Sequence, residues 1–402
     1  MFCNRATLNF TQISGLAQDL AINETQSQWV FSIFYFCVVM DLPSNIILRR
    51  WHPSFWLGII MSGWGICSVS LAACTDFNGL VIAQFFKSLF EAVFLPGMVY
   101  YLSLWYTRRE FGKRIGIIWS CRCLAGALGS LFAYGLSTLD SGSMRVWQWT
   151  CIIQGTPCVI LDVETYNIYD WSWDQVGSVF MDGKTYGFTL LYFLNNACLQ
   201  GTLSLLQVIA DHLNAKNPLK THSLMIPPYI LAICFTLSLS YSSDKFNDRG
   251  LHLFGINSIS LCLLLVVIFI SKDYMIVIYV ATCFIVALVN ASTSIKLAWV
   301  ANSFVGRTRR AVAIASIFAV GTIGGAVGDQ IIASKQSISR GSMLLIVLLV
   351  LQILSTLLMH YCLRRENKRR SRLNSDRRDY HLYKFSGIEL VGDRHPDFRY
   401  IT

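Results

Sequence analysis

Stretches of roughly twenty apolar residues, each closed by charged or turn-forming residues, recur along the whole chain and restrict it to one kind of solvent. An α-helix rises ~1.5 Å per residue, so about twenty residues cover a hydrocarbon core of ~30 Å. Eleven windows of this kind can be drawn: residues 29–48, 56–74, 80–106, 115–136, 147–161, 186–208, 224–240, 251–270, 275–300, 311–332 and 343–363. All are long enough to cross except 147–161, which would reach only ~22 Å and runs into the polar stretch 162–174. Of the 402 residues 54% are hydrophobic and 14% charged, with a mean hydropathy of +0.49. Soluble domains carry about 25% charged residues, and none could hide this much apolar surface. The chain is expected to be an all-α integral membrane protein with the lipid bilayer as its partner.

The same composition excludes several other classes. Most of the thirteen cysteines, Cys37, Cys67, Cys121, Cys234, Cys262 and Cys283 among them, stand singly inside apolar runs and read as small hydrophobes. No Cys/His spacing fits a structural zinc site, and neither metal nor cofactor is expected. The net charge of +10 does not imply a nucleic-acid partner, because 11 of the 33 Lys and Arg follow residue 363 in a polar tail. Seven scattered histidines without a paired motif argue against a membrane enzyme.

Positively charged loops stay on the cytoplasmic side during insertion. One set of alternate loops holds twelve basic residues: Arg49, Arg50, Arg108, Arg109, Lys113, Arg114, Lys184, Lys245, Arg249, Arg307, Arg309 and Arg310. The other holds six: Arg145, Lys216, Lys220, Lys272, Lys335 and Arg340. The richer set and the C-terminus are therefore expected in the cytoplasm, the plasma membrane being the expected location. Eleven crossings then place residues 1–28 outside, where Asn23-Glu24-Thr25 is a glycosylation sequon.

The chain also repeats itself weakly. A basic loop, Thr107 to Ile115, precedes the glycine pattern Ala125-Gly-Ala-Leu-Gly129, and Gly306 to Ala311 likewise precedes Gly324-Gly-Ala-Val-Gly328. Matched order and spacing fit a transporter built of two related halves; either pattern alone would be ordinary helix packing.

Several short motifs add to this: Leu42-Pro-Ser-Asn-Ile-Ile-Leu-Arg-Arg50, Phe90-Glu-Ala-Val-Phe-Leu-Pro-Gly97, Tyr100-Tyr-Leu-Ser-Leu-Trp-Tyr-Thr-Arg-Arg-Glu110, Trp173-Asp-Gln-Val176, Pro227-Pro-Tyr229, Ser243-Asp-Lys245 and Gly392-Asp-Arg-His-Pro-Asp-Phe-Arg-Tyr400. In these the chain resembles, over nearly its whole length, the major facilitator superfamily, and in particular its fungal anion:cation symporter branch of allantoate, nicotinate, pantothenate and biotin permeases. The resemblance implies a fold of two six-helix bundles. Residues 1–161 would form the first, with Asn4-Arg5 the end of a largely missing helix 1 and helix 6 shortened; 162–185 would be a shortened cytoplasmic linker. Residues 186–363 would form the second bundle and 364–402 a basic cytoplasmic tail. The function it implies is proton-coupled symport of a small organic anion by a monomer, a truncated homologue without transport being the alternative.

An ionisable side chain at membrane depth costs at least ~2.5–3.5 kcal/mol on insertion scales, so each needs a partner, a water-filled cavity or a role. Asp41, Lys87, Glu91, Arg122, Lys296 and Asp329 are such residues. Lys87 and Glu91, four apart, read either as a mutual ion pair or as an anion-attracting cation beside a proton-coupling carboxylate. The resemblance supports Glu91, within its Glu-Ala motif; relatives carry arginine where Gln84 stands. Asp41, near Pro43 and Asn45, reads as an anchor of its helix end or as part of the coupling machinery. Arg122, expected near the start of its helix and within snorkelling reach of the interface, reads as a structural residue or as a substrate contact. Lys296 is read as an anion-binding group or one half of a buried pair. Asn195, Asn196, Gln200 and Asn290 either line the same cavity or bridge helices. Asp244, Lys245 and Arg249, with Arg49 and Arg50 at the equivalent place in the first half, resemble the superfamily's cytoplasmic gate; as a bare charge run the loop is merely solvated.

Overall fold

The computed structural model describes residues 33–40, 43–44, 53–108, 110–137, 148–149, 151–153, 155–156, 173–213, 223–270, 272–333, 338–372 and 398–401. Asp41, Asn45, Arg49 and Arg50 lie outside the described residues, as do the N-terminal segment, with its sequon, and residues 157–172.

Ten longer helices account for most of the described chain: α1 (Pro53–Ala72), α2 (Phe77–Trp105), α3 (Phe111–Ser137), α4 (Trp173–Phe180), α5 (Gly183–Leu213), α6 (Ile226–Phe246), α7 (Gly250–Phe269), α8 (Met275–Ser303), α9 (Arg307–Ala333) and α10 (Ile338–Ser371). Among the described residues, seven helices are long and apolar enough to cross a membrane. α5 is not among them, because Asn195, Asn196 and Gln200 interrupt its apolar run. It compensates by packing against protein, on α8, α9 and α10.

Several helices run past their hydropathy windows, α3 and α10 among them. α3 begins at Phe111, so Lys113 and Arg114 belong to its first turn, their cationic heads over the rings of Tyr241 and Tyr106. Arg122 consequently stands eleven residues into α3, ~16 Å along its axis and not near its start. α10 runs on to Ser371, well past the apolar window, its last turns steadied by Arg370 on Glu366 at 2.9 Å.

Helix order reflects packing needs. α8 and α9 are the interior helices: 67% and 72% of their spans are buried inside the protein, against 28–39% for the other five. α10 shows the opposite distribution. Its Met343, Val347, Leu351, Leu354 and Leu358 are exposed, while Gln352 and Thr356 are fully buried. An apolar outer face over a polar inner one suits a lipid surround.

Glycines set the closest approach. On α9 a Cβ at Gly324 or Gly328 would overlap the backbone of Phe193 or Ala197, so α5 and α9 meet backbone to backbone. α3 presents Gly112, Gly116 and Gly126 to Asp244, Ser240 and Tyr229 of α6. The helices α1–α3 thus meet the later group mainly where α3 lies on α6 and α8, and where α2 approaches α9.

Candidate functional site

The end of the molecule that carries the basic loops is closed by a small set of polar contacts between the early and late helices. α6 stops at Asn247, whose left-handed φ of 51° turns the chain sharply. Asp248 Oδ1 then accepts from the Leu251 amide at 2.9 Å at the start of α7. This turn brings Arg249 back onto Asp244, Nη2 to Oδ1 at 3.1 Å, both side chains buried. The other Asp244 oxygen accepts from the backbone amide of Lys113 at 2.6 Å. A carboxylate of the late group therefore caps the N-terminus of α3, where unpaired amides favour negative charge. Burial pulls Arg249 down to about 10, the Asp244 carboxylate opposing that shift. It remains a cation at neutral pH.

Two further residues fasten the same end. Asn302 Nδ2 donates to the Arg108 carbonyl at 3.0 Å, and Arg310 Nη1 donates to the Ser103 carbonyl at 2.9 Å. Asp244 and Arg249 are thus brought together as a gate reading requires, whereas Lys245 is exposed outside the cluster. Sequence reasoning missed Asn302 and the capping role of the Lys113 amide, since neither carries a motif.

A second polar cluster lies inside the late group of helices. Lys296 on α8, 2% exposed, donates to Asn195 Oδ1 at 2.6 Å and to Ser292 Oγ at 3.3 Å. Ser292 Oγ and Gln352 Nε2 donate to that same Asn195 oxygen at 2.7 and 3.1 Å. Asn195 Nδ2 donates to Thr293 Oγ1 at 2.7 Å, and Gln352 Nε2 also reaches Asn257 Oδ1 at 3.2 Å. Three donors converge on one carbonyl oxygen that has two lone pairs, while Gln352 Oε1 and Asn257 Nδ2 are buried without a partner among the described residues. Both partners of the Lys296 ammonium among the described residues are neutral oxygens. A buried cation in such surroundings is an acceptor-poor site, suited chemically to an added anionic oxygen.

The remaining candidates do not join it. Asn196 donates to the carbonyls of Tyr192 and Gly321, both at 3.1 Å, and so bridges α5 to α9. Gln200 is half-buried one turn further on. Asn290, six residues before Lys296 and on another face of α8, donates to the Val286 carbonyl and accepts from Cys123 Sγ at 3.8 Å. Arg122 lies over the Trp119 ring at 4.6 Å. On α2, Lys87 is fully buried with its ammonium 3.5 Å from Gln84 Oε1, and Glu91 is half-buried one turn beyond. Asp329 accepts from Ser204 at 3.0 Å and Tyr35 at 3.4 Å. Ser292, Thr293, Asn257 and Gln352 were not picked out from the sequence; the signal available was a polar side chain inside each apolar run. Among the described residues no group of three His, Cys, Asp or Glu side chains is placed to hold a metal ion.

The family model of the Major Facilitator Superfamily matches residues 1–328. The MFS-type transporter cnsO of Penicillium expansum is 26% identical over 439 residues, covering 97% of this chain and 84% of that protein. A structure of the E. coli fucose:proton symporter FucP aligns with a TM-score of 0.66, and FucP in the outward conformation with 0.70. Both are 10% identical and cover 89% of this chain and 96% and 97% of theirs. The human organic anion transporter MFSD10 aligns at 0.65 with 10% identity, over 88% of this chain and 89% of its own.

Proposed function

The chain belongs to the major facilitator superfamily, an all-α family of membrane transporters and not of enzymes, and from that premise we propose that it carries a small organic anion together with a proton by alternating access. The observation that carries the reading is Lys296, a buried ammonium that donates, among the described residues, to the neutral oxygens of Asn195 and Ser292. An anionic oxygen of the substrate would complete its coordination and offset its desolvation. Vitamin carboxylates, ureides and amino-acid derivatives, the cargo class of the fungal anion:cation branch, fit that chemistry. Glu91 is the proposed proton-coupling carboxylate and Lys87 an auxiliary cation.

The proposed architecture is two six-helix halves, the basic loops and C-terminus cytoplasmic, in the plasma membrane. The Asp244–Arg249 pair on the α3 N-terminus would seal the cytoplasmic side in the outward-facing state and separate as the halves rock. Two proteins of similar fold, a fucose:proton symporter and an organic anion transporter, accord with coupling and cargo without assigning either.

The test is uptake of a labelled panel of vitamins and nutrient anions in a permease-deficient yeast, with and without a protonophore. Uptake of at least one anion that collapses with the protonophore is expected; protonophore-insensitive uptake, or uptake of neutral solutes only, would contradict the proposal. Glu91→Gln at normal surface expression should abolish the proton-driven component.

A further inference from the structure

Residues 398–401 return to the basic end of the bundle and are built into it. Phe398 and Tyr400 are buried, 6% and 5% exposed, in the main apolar core. Asn367, near the end of α10, grips one residue of the segment on both sides: its Nδ2 donates to the Tyr400 carbonyl and its Oδ1 accepts from the Tyr400 amide, each at 2.9 Å. Trp299 Nε1 donates to the Ile401 carbonyl at 2.8 Å. The Tyr400 hydroxyl receives Lys184 Nζ at 2.7 Å and Arg370 Nη2 at 3.1 Å.

This arrangement has the marks of peptide recognition. A side-chain amide reads both polar groups of one backbone unit, as a neighbouring strand would, and aromatic side chains fill the pockets between. Cations also cover the rings: Lys184 lies 4.5 Å and Arg370 4.8 Å from the Tyr400 centroid. The contact that gives the segment a mechanical role is Phe398, whose ring lies 4.2 Å from the Arg108 guanidinium carbon. Arg108 belongs to the α2–α3 connection, on the early side of the closed end, and its carbonyl already accepts from Asn302. The segment therefore touches both sides of the closure at once.

We propose that Trp299, Asn367, Arg370, Lys184 and Arg108 form a peptide-binding site whose ligand is the chain's own Phe398–Ile401 segment, and that docking there holds the basic end shut. That the closure acts as a gate rests on the alternating-access reading. The docking itself does not.

Hydrogen–deuterium exchange on the full-length protein in lipid nanodiscs, without substrate or pH gradient, tests it. The variants are Phe398→Ala with Tyr400→Ala, and separately Asn367→Ala, which leaves the segment intact. Both should speed exchange about tenfold in peptides covering 102–116 and 299–310 while leaving 276–295 unchanged, as expected when one region opens locally. Rates equal to the parent protein would overturn the proposal. So would a uniform rise across all helices, which would mean only general stabilisation. Because no transport is measured, the outcome is separable from failure of the anion:proton reading, which flux alone decides.

Discussion

A lysine beside a carboxylate is neutralised in place; among the described residues Lys296 instead donates to Asn195 and Ser292, whose dipoles stabilise its charge. If it binds the substrate anion, Lys296→Met should raise KM roughly tenfold to a hundredfold, the equivalent of about 1.5–3 kcal/mol for a hydrogen bond to a charged group. Lys296→Arg should not restore affinity, since a planar guanidinium cannot take up the ammonium's compact geometry. Concentration-dependent uptake at matched surface expression measures both. At the closed end, Asp244→Asn removes one member of a buried pair and leaves Arg249 uncompensated, a loss of about 3–5 kcal/mol. Thermal unfolding in detergent should show a lowered Tm, partly recovered by adding Arg249→Met. Lys296 and Asp244 were legible because a charge within or beside an apolar run stands out in a sequence. Gln352 and Asn257 were not, because an uncharged amide in such a run looks the same whether it bridges helices or completes a site. Helical position alone also failed to separate Asn195, at the centre of the cluster, from Asn290, which serves a contact with α3.

At the scale of helices, apolar windows located the elements but misplaced ends wherever charged residues continue a helix. Lys113 and Arg114 lie in the first turn of α3 with their cations over aromatic rings, which leaves Arg122 eleven residues into the helix. α10 likewise runs on to Ser371 through charged residues that an apolar window ends before, with Arg370 paired to Glu366 at i,i+4. The glycines were visible as a pattern, and their partners were not. Gly328→Leu should separate α5 from α9 by forcing a side chain into the Ala197 backbone, costing about 1–3 kcal/mol as overpacking. Gly58→Leu, on α1 with open space at its Cβ, should be close to neutral by the same unfolding assay.

Over the whole molecule, the transporter fold follows from a bundle whose central helices α8 and α9 are buried and whose outer helices turn apolar faces to lipid. Bilayer thickness imposes a length on each apolar run, which is why the all-α membrane class could be read from residues alone. The return of residues 398–401 to the bundle could not, since it depends on Trp299, Asn367 and Lys184 meeting across long sequence separations. Orientation and cargo are properties of the inserted protein, and the proposed function makes one demand of them: an anion must move with a proton along a path that needs Lys296. Internal pH in proteoliposomes, followed after external addition of an anion that the uptake panel identifies, decides whether it does. The parent protein should acidify the lumen, and Lys296→Met should lose that response at the same protein content. Anion entry without acidification, or acidification unchanged in Lys296→Met, would refute anion–proton coupling through this lysine.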